Sequence, residues 1–262
     1  MRRRNENQPE QEENSGIDYS VYHMGILEWL LYVCMAGAVL FLVGYIFYRS
    51  IILSFAISLF GLLYPKMRKK KIIEARKNKL NMQFKDMLYS LSSAVGAGNS
   101  VESAISVVLD DMEQQYNDPN VFIIKELSLM KLRLQMNRTV EEVFNDFAAR
   151  SHLEDIETFA SIFQIAKRTG GNLIDIIRNT TQIIADKIEI NQEIETMLSG
   201  QQAEQKVLTI LPFGLVLFMT KSSGDFMEPI FTTAIGRGVA TISLAVILLA
   251  NLWSKKIASI RI

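Results

Sequence analysis

Cysteine is almost missing from this chain of 262 residues: Cys34 is the only one, and it lies inside a long apolar run. One thiol builds neither a disulfide framework nor a cysteine metal site, so Cys34 reads as a small apolar residue facing lipid or a neighbouring helix. A lipoprotein attachment site wants small residues just ahead of the cysteine, where Tyr32 and Val33 stand instead. Histidine is as scarce, with His23 and His152 alone. His152 has Glu154 and Asp155 beside it, but metal ligands must converge, and the acidic pair is better explained by capping and dipole roles at a helix start. No catalytic constellation, cofactor site or metal site emerges, and the reading is of a protein that is not an enzyme. Gly96-Ala97-Gly98-Asn99-Ser100 lacks the lysine and the preceding strand of a phosphate loop, so it reads as a helix connector. Net charge is zero and names no partner by itself.

What the chain does have is apolar length at both ends. Trp29 to Tyr48 and Ile51 to Pro65 are uncharged, as are Val207 to Thr220 and Val239 to Trp253. A full helical span takes about 20 residues, so only the first run reaches that length unaided. Asp, Glu, Lys, Arg and His are absent from all four runs, which disfavours an ion or proton transporter. Lys66, Arg68, Lys69, Lys70, Lys71, Arg76, Lys77 and Lys79 follow the second run with only Glu74 opposing them. Such a cluster marks the cytoplasmic side and suits anionic lipid headgroups. No aromatic residue is interleaved with it, which argues against nucleic acid.

These features divide the chain into four. Residues 1–25, with Glu6, Glu10, Glu12 and Glu13, read as a disordered polar cytoplasmic tail, and no small-x-small cleavage site marks a signal peptide. Residues 26–65 read as an N-terminal transmembrane hairpin, 66–206 as a cytoplasmic helical bundle and 207–262 as a C-terminal transmembrane hairpin. Arg49 and Ser50 make a very short turn for two full spans, so the second run could be partial or re-entrant. A single helix from about residue 27 to 80, with the N-terminus outside, is the rival.

Within the bundle, apolar residues recur at steps of three and four. Leu80, Phe84, Met87, Leu88 and Leu91 share a face, as do Leu153, Ile156, Phe159, Phe163 and Ala166, and then Leu173, Ile177, Thr180, Ile184 and Ile188. Ser100 caps a helix that places Glu102 in its first turn. Thr139 with Glu142, and Ser151 with Glu154, match the capping-box spacing. Gly170 and Gly171 stop one helix and Asn172 caps the next. That next helix finds no stop before Ser199-Gly200, and Pro212 should kink or end it ahead of a loop from Lys221 to Gly238. The fold class is therefore all-α, a six-helix antiparallel bundle flanked by transmembrane helical hairpins. The cap-plus-apolar-pair pattern at Ser100, Thr139 and Asn172 fits either a duplication or three ordinary capped amphipathic helices.

The stretches Gln83 to Ile105, Phe147 to Ile184, Glu193 to Leu198 and Thr232 to Gly238, TTAIGRG, carry a family resemblance. The chain resembles the inner-membrane platform proteins of type II secretion and type IV pilus machines, the F-type family. It looks closest to the TadB-like branch of tight-adherence (Flp) pilus assembly proteins. Lys167 to Leu173, KRTGGNL, is the most specific part. The resemblance implies a non-enzymatic scaffold in the bacterial inner membrane that joins a cytoplasmic assembly ATPase to pilin subunits. It also implies a second platform protein of the same family as partner, in a homo- or hetero-oligomer. Candidate partner contacts are Glu102, Arg168, Asn172 and Asp175 around the glycine-rich turns. A membrane permease or export channel is the alternative, and solute flux by the isolated protein would mark it.

Overall fold

The structure, a computed structural model, describes residues 16–22, 24–169, 173–222 and 224–258. Its ten α-helices among those residues are α1 (Ile26–Tyr48), α2 (Ile51–Ser58), α3 (Tyr64–Gly96), α4 (Val101–Tyr116), α5 (Phe122–Gln135), α6 (Val140–Ser151), α7 (Glu154–Thr169), α8 (Leu173–Ser222), α9 (Gly224–Thr232) and α10 (Ala234–Ala258). A 3₁₀ turn, Leu59–Leu63, joins α2 to α3. No strand occurs among the described residues, so the all-helical class holds. The chain forms two compact units. One contains residues up to His23 and Lys70–Asn191, the other Met24–Lys69 and Gln192–Ile262.

The first unit is built on six helical segments, from α3 to the start of α8. Its core is the set of faces that the helical spacing picks out: Leu80, Phe84, Met87, Leu88 and Leu91 of α3, Val101, Ala104, Ile105 and Val108 of α4, and Ile156, Phe159 and Phe163 of α7 are all buried. Phe144, Phe159 and Phe163 meet with ring centroids 5.2–6.2 Å apart, and Phe84 packs edge-on against Phe147 and Phe159. Such edge-to-face pairs add roughly 0.5–1.5 kcal/mol each beyond the area they bury. Thr139 makes a full capping box with Glu142. Ser151 does not: it ends α6, donates to the Ala148 carbonyl at 2.9 Å and accepts from the Leu153 amide at 3.3 Å. His152 follows as a left-handed C-cap (φ 50°), and α7 starts at Glu154, two residues later than a Ser151 cap would require. A serine at the end of a helix satisfies the same local spacing as one at a start, and the αL residue decides between them.

The polar tail also needs correcting at its inner end. Tyr19 is fully buried and Ile17 packs on the core, so residues 16–22 belong to the folded unit. The Tyr19 amide donates to the Arg150 carbonyl at 3.0 Å, and its hydroxyl donates to Glu126 at 3.0 Å. Residues 1–15, where the disordered reading also falls, and the Gly170-Gly171-Asn172 turn lie outside the described residues.

In the second unit Arg49 adopts a left-handed conformation (φ 44°) and Ser50 is extended, and these two residues reverse the chain between α1 and α2. A continuous helix from 27 to 80 is thereby excluded. The reversal works because α1 and α2 pack at backbone distance. A Cβ on Gly44 would come within 2.9 Å of the Ser54 Cα, and one on Gly61 within 2.9 Å of the Gly37 nitrogen. Close approach through small residues is the usual means of joining helices where no hydrophobic effect drives them. The 3₁₀ turn has its own cause: Tyr64 donates to the Gly61 carbonyl, and Pro65 has no amide to continue the α-helical ladder until α3 is under way.

The C-terminal part departs from expectation. Pro212 does not end α8, which continues to Ser222, and the expected loop from Lys221 to Gly238 is taken up by the end of α8, the helix α9 and the start of α10. The motif TTAIGRG makes the corner into α10. Thr233 Oγ1 accepts from the Gly236 amide at 3.0 Å, and a Cβ on Gly236 would come within 2.4 Å of the Pro229 carbonyl oxygen. Helix α10 then lies against α1, with Tyr48 Oη 2.9 Å from Thr241 Oγ1.

Among the described residues, three helical stretches are long and apolar enough to cross a membrane: Ile26–Tyr48, Ile51–Gly96 and Leu173–Ser222. In α10 the described apolar stretch, Ile235–Ile247, is shorter. Ile26, Ile52, Val207 and Phe218 are all exposed, as are most of their apolar neighbours. Apolar side chains left bare all round a helix call for lipid rather than water.

Candidate partner-binding end of the helical unit

Helices α4 and α6 begin, and α7 ends, close to one another at one end of the first unit. Each terminus carries the charge its dipole favours: Glu102 in the first turn of α4, Glu141 and Glu142 in that of α6, Lys167 and Arg168 in the last turn of α7. Lys167 joins them. Its Nζ donates to Glu141 Oε2 at 2.9 Å and lies 3.7 Å from Glu102 Oε1. Burial alone would raise the Glu141 carboxyl, but the Lys167 hydrogen bond and its own backbone amide, with the charges of Lys167 and Arg168, hold it below the ordinary glutamate value.

Beside this cluster Val95, Asn99, Ser100, Val101, Phe163, Leu173 and Ile174 line a shallow, largely apolar hollow of about 260 Å³. Small-molecule sites start at roughly 300 Å³ and enclose their ligand, so this open hollow is smaller and shallower than such a site. Ser100, one of the lining residues, is held for a local reason: its Oγ accepts from the Ser103 amide at 3.2 Å as the cap of α4.

Of the four residues picked from the sequence, Glu102 joins the cluster through Lys167, and Arg168 is exposed next to it. Asp175 is exposed in the first turn of α8, and Asn172 lies outside the described residues. Lys167 and Glu141 were missed as contacts. Both were visible as a basic residue in a last turn and an acidic one in a capped first turn, but their meeting depends on how α6 and α7 pack. His152 stands at the left-handed cap of α6, its Nε2 3.5 Å from Asp18 Oδ1, away from this end. No group of three His, Cys, Asp or Glu side chains among the described residues is placed to hold a metal.

Among the described residues, apolar, lipid-demanding helices joined to a charged helical unit define a class of all-helical membrane proteins. The chain belongs to the type II secretion system (T2SS) protein F family, whose family model matches residues 87–221, just over half its length. Members of this family are inner-membrane components and structural platform proteins, not enzymes. No curated protein and no solved structure matches the chain. The matched region starts inside α3, covers the cluster at Glu102, Glu141 and Lys167, and runs to the end of the apolar part of α8.

Proposed function

We propose that this protein is an inner-membrane platform of a pilus-assembly machine of the tight-adherence, TadB-like branch. It couples a cytoplasmic assembly ATPase to pilin subunits in the bilayer and works with a second platform protein of the same family. The observation that carries this reading is the extent of the family match: one continuous stretch includes both the charged end of the helical unit and the apolar length of α8. The ATPase meets the end built from Glu102, Glu141, Lys167, Arg168 and Asp175. The apolar helices meet pilin segments, and of the basic cluster from Lys66 to Lys79 the residues not engaged with the helical unit, Lys66 to Lys71, sit at anionic headgroups, at about 1 kcal/mol each. The helical unit lies in the cytoplasm, on the side of that basic cluster.

The test is complementation of a deletion strain with Arg168→Glu and Asp175→Lys, together with co-purification of the assembly ATPase in detergent. Both variants keep the fold, because charged residues at exposed helix ends contribute little to stability. Loss of pili and of ATPase co-purification in either variant supports the reading. Normal assembly and co-purification in both removes this end as the interface, and solute flux through the purified chain in vesicles would replace the scaffold with a permease.

A further inference from the structure

The chain segment ahead of α1 is laid across the helical unit and fixed to three of its helices. Tyr19 is fully buried, with its ring edge-on to Phe122 of α5 at 5.6 Å, its hydroxyl on Glu126 and its amide on the Arg150 carbonyl. Arg150 of α6 returns a hydrogen bond to the Ile17 carbonyl at 3.1 Å while holding Glu126 through both guanidinium nitrogens at 2.8 and 2.6 Å. On the α3 side Arg76 donates to the Val21 carbonyl at 3.3 Å and lies over the rings of Tyr22 and Phe122 at 5.5 and 5.8 Å. Gly16 is shaped to this seat: it has φ 74°, and a Cβ there would come within 2.5 Å of the Arg150 guanidinium. A terminal segment with only chance contacts would not bury an aromatic ring on a buried ion pair, because that pair must be kept from water and fully hydrogen-bonded to be tolerated.

We propose that residues 16–22 are a strap that fixes the segment ahead of α1 to the helical unit, so that the chain leaves that unit into α1 from a seated segment and returns to it through α3. The strap leads into α1 within a few residues and α3 leads back from α2, and Arg76 of α3 holds the strap at the Val21 carbonyl. Two consequences follow. The N-terminus lies on the same side of the membrane as the helical unit, since a strap seated on that unit cannot be across a bilayer from it. The seat of residues 16–22 also couples that segment to α3, α5 and α6.

The full-length protein provides both tests. For topology, in a Cys34→Ser background, Ser20→Cys and Glu113→Cys are treated with a membrane-impermeant maleimide in intact and permeabilised cells. The strap requires that the two residues respond alike, and labelling of one of them in intact cells while the other labels only after permeabilisation overturns it. For docking, hydrogen exchange of the purified protein in detergent reads the peptide covering residues 17–22. Protection of at least tenfold, lost in Tyr19→Ala and partly kept in Tyr19→Phe, is the expected result. An unprotected peptide in the unaltered protein overturns the strap, as does a Tyr19→Ala protein with unchanged protection.

Discussion

Arg150 stands next to last in α6, a place where a basic side chain ordinarily reaches into water towards the helix dipole. Here its side chain is only 13% exposed, and Glu126 opposite it is 2% exposed. Asp146 receives Arg150 Nε at 2.7 Å and also pairs with Arg133, so four charged groups form one connected set. Removing one member of a buried pair leaves the other charge uncompensated, at about 3–5 kcal/mol. Arg150→Met should therefore lower the thermal stability of the detergent-solubilised protein sharply, and Arg150→Met with Glu126→Leu and Tyr19→Phe, which removes the hydroxyl that donates to Glu126, should recover much of that loss in the same melt. The set also fixes a response to acid. Burial would raise the Asp146 carboxyl, but hydrogen bonds from Arg150 and Arg133 outweigh burial and hold it below the ordinary 3.8. A depressed folded-state value means that its contribution is complete above pH 3.8 and is lost as pH falls from there through the folded value. A stability profile from pH 6 to 2 should show its steepest carboxylate-linked loss below that point, and Asp146→Asn should flatten it.

Among the elements, the helix faces of the first unit were readable because the side-chain period and the burial pattern are the same fact seen twice. Leu80, Phe84, Ile156, Phe159, Ile177 and Ile184 follow the 3.6-residue repeat and all end up buried. Helix ends were less readable. Thr139 and Ser151 have the same spacing to a glutamate, yet only Thr139 caps forward, since a left-handed residue after Ser151 reverses its role. The N-terminal hairpin was in doubt because a two-residue turn looks too short when helices are pictured at ordinary spacing of 8–10 Å. Gly37, Gly44, Ser54 and Gly61 remove that objection by letting the backbones touch. Gly44→Val should force the two helices apart: a crosslink between cysteines placed across the α1–α2 interface should fall by at least fivefold, with the helical content of the protein unchanged. An unchanged crosslink would mean that the close approach is not needed.

At the scale of the whole molecule, α8 is the element that ties sequence to function, because residues 173–191 belong to the first unit and 192–222 to the second. Gly200 lies in its interior with nothing near its Cβ direction, so a side chain there meets no neighbour. Gly200→Ala should raise helix stability by up to about 1 kcal/mol, whereas Gly200→Pro should break the helix at about 3 kcal/mol. If α8 carries force between the units, Gly200→Pro should abolish assembly while the first unit keeps its protease resistance, and Gly200→Ala should leave assembly intact. Assembly that survives the proline would show that the continuity of α8 is dispensable. The sequence by itself determined the helical class, the apolar lengths and the core faces, because each of these depends on residues a few positions apart. Only the tertiary structure decided that Tyr19 is part of the core, that Lys167 joins Glu141 to Glu102, and that Arg150 is buried. Those three outcomes depend on partners 24 to 133 residues away, and no local period records which distant face a side chain will meet.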